Sequence, residues 1–116
     1  MPTLERGRIV WADVVDSSGR NRKARPLVIL TPSEEVPPGE PLVAVAVTTQ
    51  LPKPLPADYV PLPWHAQKRV GTRLSAPCAA VCTWLVEIQD EDILERAGIV
   101  PRRQLAEIVR LVSELN

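Results

Sequence analysis

A chain of 116 residues with 45% hydrophobic and 24% charged side chains suits one ordinary globular domain, here taken as residues 1–116. Fourteen Lys and Arg balance fourteen Asp and Glu, so no global field draws the chain to nucleic acid or membrane. The longest apolar run, Leu42 to Val47, is far short of the ~20 residues of a membrane helix. Met1 to Arg8 is too charged for a leader, so a cytoplasmic protein is expected.

The charge is unevenly spread. Residues 1–73 carry ten Lys/Arg against seven Asp/Glu, and residues 74–116 carry four against seven. A contact with a polyanion is therefore expected in the first part. Cys78 and Cys82 are too few for a disulfide framework. The single histidine, His65, excludes a two-histidine metal site. Two Cys and one His fall short of the four ligands of a structural zinc. No metal or cofactor is expected.

Thirteen prolines against five glycines mark loops at 32–41 and 52–63 and disfavour long helices before residue 90. Val-, Ile- and Thr-rich runs bounded by breakers predict strands at Arg8–Val15, Pro26–Thr31, Leu42–Thr49, Tyr59–Leu62, Gly71–Ser75 and Ala79–Ile88. The run Leu42–Val47 is apolar on both faces, which predicts a central strand. Asp90-Glu91-Asp92 reads as the acidic start of a short helix to about Ala97, ended by Gly98. Pro101 then opens an amphipathic helix with a stripe of Leu105, Ile108, Val109, Val112 and Leu115. The expected fold is mainly β (α+β): a small, strongly bent barrel of five to seven short strands with a C-terminal α-helix.

The densest polar cluster is Ser17-Ser18-Gly19-Arg20-Asn21-Arg22-Lys23-Ala24-Arg25, between the first two strands. Such a loop is either a solvated hairpin tip or a contact for phosphate, where Arg offers a bidentate fork. Arg25 stands apart because Pro26 and an apolar strand follow at once, placing it at a strand start. Thr48-Thr49-Gln50 ends the most hydrophobic strand. These hydroxyls either satisfy local backbone groups or join Arg25 as an electrostatic clamp on a phosphoryl group. Trp64, in a loop, is the best candidate for stacking on bases, whereas Trp11 and Trp84 fall in strand runs and read as core or interface. Cys78 and Cys82, four apart, read as packed thiols on one side of a strand.

The order of these pieces resembles the PemK/MazF family of toxins. Arg6-Gly-Arg-Ile-Val-Trp-Ala-Asp resembles its opening strand, and Ala24-Arg25-Pro26-Leu-Val-Ile-Leu its Arg-Pro strand. Val43-Ala-Val-Ala-Val-Thr48-Thr-Gln resembles the strand that ends in an active hydroxyl. The late strand, Ala80-Val81-Cys82-Thr83-Trp84, lacks the Arg and Asp that some members carry there. The resemblance implies an SH3-like barrel, a homodimer, a cognate antitoxin partner and metal-independent cleavage of single-stranded RNA. It implies Arg25 and Thr48 as catalytic residues, with an RNA 2′-hydroxyl attacking the adjacent phosphate. Arg20, Arg22 and Lys23 are then expected to hold the RNA backbone, and Thr49, Gln50 and Trp64 to meet the bases. The alternative reading is a catalytically inactive SH3-like barrel acting as a protein- or nucleic-acid-binding module.

Overall fold

The computed structural model describes residues 4–16, 18–31 and 39–116. Residue 17 of the polar loop and residues 32–38 of the first proline-rich loop lie outside them. Six strands follow in chain order: β1 (Arg8–Val14), β2 (Lys23–Ile29), β3 (Leu42–Thr48), β4 (Tyr59–Pro61), β5 (Ala79–Ile88) and β6 (Ile93–Ile99). Helix α1 (Arg102–Leu115) ends the chain. The strands form one antiparallel sheet in the order β4-β5-β3-β2-β1-β6.

The central strands bury both faces. Val45 and Val47 of β3 and Val28 of β2 join one core, while Ala44, Ala46, Leu27 and Ile29 join another. A strand alternates its side chains, so one apolar run feeds two cores. The first core is covered by Ile108 and Leu111 of α1. The second draws on Trp84, Val86 and Ile88 of β5 and also on Ile93 of β6. Three strands separate β5 from β6 in the sheet, so sharing a core requires the sheet to coil round on itself. The fold is thus the expected small bent β-structure with a C-terminal helix, although its hydrogen-bonded ladder stays open, with β4 and β6 at the edges.

Three expectations fail. Gly71–Ser75 is no strand: Gly71 and Thr72 form a turn, and the Gly71 carbonyl accepts the Ile99 N–H at 2.9 Å. The helix expected from Asp90 to Ala97 is a 3-10 turn at Asp90–Asp92 followed by β6. Local acidity reads as a helix start, but the edge of β1 takes Ile93–Ile99 as a strand through a twice-shifted ladder. Gly98 is buried there, and the position needs glycine because a Cβ would collide with the Gly71 carbonyl and the Thr72 backbone. On α1 the apolar stripe is rotated from the expected one. Leu111 is buried beside Ile108, whereas Leu115 is exposed.

Candidate active site

Arg25 and Thr48 are set by the pairing of β2 with β3. The ladder runs Ile29 to Ala44, Val28 to Val45 and Leu27 to Ala46, and the same register carried two residues on puts Arg25 opposite Thr48. Here the apolar sequence of both strands gives way to polar residues at the sheet's end. Arg25 is the third residue of β2 rather than its expected start, with exposed Lys23 and Ala24 before it and half-buried Pro26 and buried Leu27 after it.

Three contacts hold the Arg25 head. Its Nε donates to the Val14 carbonyl at 3.3 Å and its Nη2 to the Asn21 carbonyl at 3.0 Å. The carbon of the guanidinium lies 5.3 Å from the centre of the Trp84 ring, a cation–π distance. Nη1 has no protein acceptor among the described residues, which leaves donors of the fork for an anion. The Thr48 hydroxyl oxygen accepts the Gln50 N–H at 3.1 Å, so its own proton remains to be donated.

Trp84 reaches Arg25 because β5 is irregular. Val45 pairs with Leu85 but Val47 pairs with Ala80, so four residues of β5, Val81 to Trp84, stand against Ala46 alone. Such a bulge bends its strand and re-aims side chains. Trp84 also packs against the second core, as its strand run predicts, but no local signal marks the bulge.

Two cavities meet at this pair. One, of about 230 Å³, runs past Trp11, Pro26, Leu74, Ser75 and Cys78; the other, of about 570 Å³, past Asp16, Asn21, Tyr59 and Trp84. Lys23, Arg25, Thr48 and Gln50 line both, and Thr49 lines the smaller. Five of the eight residues singled out in the sequence are thus brought together. Arg20 and Arg22 are exposed and line neither cavity, and Trp64, 45% exposed, stands on another loop away from both.

The polar loop is ordered by an acid that sequence reading passed over. Asp16 accepts from the Ser18 and Arg20 backbone amides at 3.0 and 2.9 Å, the Ser18 hydroxyl at 2.6 Å and the Asn21 side-chain amide at 2.7 Å. These bonds, the Ser18 hydroxyl foremost, hold its carboxyl well below the usual carboxylate range. The signal was there to be read: Asp ahead of Ser and Gly is a turn-forming order.

The other candidates have structural partners. The His65 Nδ1 accepts the Gln67 N–H at 3.1 Å, closing its own turn. Cys78 and Cys82 are buried in one core, and burial pushes both thiols up to about 11. At neutral pH they are therefore un-ionised and poor nucleophiles. Among the described residues no group of three His, Cys, Asp or Glu side chains is placed to hold a metal ion. Nor is any described helix long and apolar enough to cross a membrane.

A coiled antiparallel sheet with a terminal helix, carrying an arginine and a hydroxyl at a shared cleft, defines a class of small single-sheet protein. Its kinship makes the class specific. Residues 5–115 match the model of the PemK-like, MazF-like toxin of type II toxin-antitoxin systems, and the chain belongs to that family. Among solved structures it is similar to MazF (Form-I) from Deinococcus radiodurans, at 19% identity and a TM-score of 0.76, covering 99% of this chain and 97% of that one. It is also similar to an endoribonuclease from a mycobacterial species, at 15% identity and a TM-score of 0.70, covering 98% and 91%. A MazE-MazF complex (Form-III) from Deinococcus radiodurans matches at 20% identity and a TM-score of 0.71, covering 96% and 94%. A sequence search of curated proteins finds no match.

Proposed function

We propose that this toxin is an endoribonuclease that cuts single-stranded RNA, with Arg25 and Thr48 as its catalytic residues. The observation that carries the reading is that Arg25 and Thr48 both line two adjoining cavities. A phosphodiester seated at the pair has room for a nucleoside on each side.

The reaction needs little more. The RNA 2′-oxygen attacks the adjacent phosphorus, the bond to the 5′-oxygen breaks, and a 2′,3′-cyclic phosphate and a 5′-hydroxyl result. In net terms the 2′-hydroxyl proton ends on the leaving 5′-oxygen, so no co-reactant is consumed. A guanidinium stays protonated in proteins, so Arg25 acts as fixed charge on the phosphoryl oxygens rather than as a base. Thr48 adds a hydrogen bond to the same developing charge. Lys23, Thr49 and Gln50 lie where the flanking nucleotides run. Arg20, Arg22 and Trp64 are outer contacts for a longer strand.

The family places the toxin opposite an antitoxin, and solved relatives include an endoribonuclease in complex with its cognate antitoxin. A cognate antitoxin is accordingly the protein partner. We also propose a homodimer, favoured by the exposed Leu85 of β5 and Leu94 of β6.

Incubating the purified protein with a long single-stranded RNA in EDTA tests the activity. Fragments ending in 5′-hydroxyls are expected, with duplex RNA spared. A requirement for magnesium, or 5′-phosphate ends, contradicts the mechanism. Binding of RNA without any cleavage favours the inactive binding module.

A further inference from the structure

We infer that Asp16 is a positioning residue for Arg25, acting through the main chain of Asn21; this rests on Arg25 being the phosphate-gripping group proposed above. The four bonds to Asp16 close the loop on one carboxylate: Oδ1 takes the Ser18 and Arg20 amides and the Ser18 hydroxyl, and Oδ2 takes the Asn21 side-chain amide. Backbone bonds from Asp16 N–H to the Arg20 carbonyl and from Gly19 N–H to the Asp16 carbonyl complete the turn.

The turn ends at Asn21, whose φ of 54° is left-handed, a conformation that Asn tolerates and most residues resist. With its side chain tied to Asp16, Asn21 presents its carbonyl to Arg25 Nη2 at 3.0 Å. The other acceptor, the Val14 carbonyl, lies two residues before Asp16 on the same strand exit. The Nη2 tether thus comes from the turn that Asp16 organises, while the Nε tether comes from β1, just ahead of it.

The physical need is plain. An arginine side chain has many rotamers, and fixing it before substrate arrives removes that ordering cost from the reaction. The loop also packs Arg20, Arg22, Lys23 and Arg25 into six positions, and their mutual repulsion favours splaying. One carboxylate at the turn opposes it.

The sign of the charge makes the test sharp. Removing an anion beside a cleft for RNA should, by electrostatics alone, leave RNA binding unchanged or tighter. Loss of positioning should instead lower turnover. Three variants, Asp16→Ala, Asp16→Asn and Asn21→Gly, are compared with the parent and with Asp13→Asn, an exposed acid of β1. Two readouts are taken: kcat and KM on a long single-stranded RNA, and the order of the Arg25 guanidinium Nη–H groups by NMR. Asp16→Ala is expected to lower kcat ten- to a hundredfold with KM unchanged or reduced, and to release the Arg25 Nη2 protons to fast exchange. Asp16→Asn keeps an acceptor for the two amides and should recover most of both. Asn21→Gly keeps the left-handed backbone without the tie and should fall between.

A folded Asp16→Ala with parental kcat and parental Arg25 order overturns the inference. So does a fall in kcat with Arg25 order unchanged. If Asp16→Ala does not fold, the Asn21→Gly result decides in the same way. If the parent cuts no RNA, the nuclease reading fails, yet the NMR comparison still says whether Asp16 orders Arg25.

Discussion

Thr48 ends β3 and Arg25 is the third residue of β2, and neither fills a core, so their removal should cost chemistry rather than fold. Arg25→Ala and Thr48→Ala are each expected to lower turnover by about 10²–10³, the usual effect of removing one donor aimed at developing charge. The double variant should lose much less than the product, because groups acting on one phosphoryl act as a unit. Melting curves within a few degrees of the parent, taken with the kinetics, check that the fold survives. Two well-folded single variants cutting at the parental rate would put the active site elsewhere. Both residues were legible in the sequence because each stands where an apolar strand turns polar. The role of Asp16 and the contact of Trp84 with Arg25 were not. Asp16 is one acid among fourteen, and its role depends on four donors converging on it.

At the scale of the element, the polar loop and the edge strand behave differently from their local sequence. Arg20 and Arg22 lie outside both cavities, while Lys23 lines both, so the two arginines are expected to act along the strand and Lys23 beside the cut. Replacing Arg20, Arg22 and Lys23 with Ala should weaken RNA binding and flatten its salt dependence. Each lost phosphate contact lowers the slope of log K against log salt by about 0.7 for single strands. An unchanged slope would make the loop a solvated tip. On β6, Gly98 allows the 71–72 turn to approach, and Ile99 N–H bonds the Gly71 carbonyl there. Gly98→Ala should therefore destabilise by on the order of 1–3 kcal/mol, the range for overpacking a tight site. Denaturant midpoints give the check. A parental midpoint would mean that the turn yields freely.

For the whole molecule, the open ladder matters. Both faces of the central strands are buried, but Leu85, Leu94 and Leu115 remain in water on β5, β6 and α1. Large apolar side chains left at the surface of a small domain favour a self-complementary contact. Light scattering after size exclusion is expected to return twice the chain mass of 12.8 kDa at micromolar concentration. A clean monomer would refute the dimer.

What the sequence determined by itself is what local chemistry encodes. β1 to β5 begin or end within three residues of their expected bounds, because Val-, Ile- and Thr-rich runs between prolines and polar turns have few other uses. The helix after Pro101 follows from the same local logic of period and proline. β6 needed the tertiary structure. Its run Ile93 to Ile99 holds Glu95, Arg96 and Gly98, a weak strand sequence that becomes one only against the open edge of β1. The left-over turn at 71–72 is likewise explained by Gly98, which is distant in sequence. The site divides in the same way. Its polar residues are visible one by one, but the register of β2 on β3 that sets Arg25 across from Thr48, and the bulge that brings up Trp84, arise from pairing between distant segments. Strand pairing is a contest among all the edges a chain offers, and no window of sequence contains its outcome.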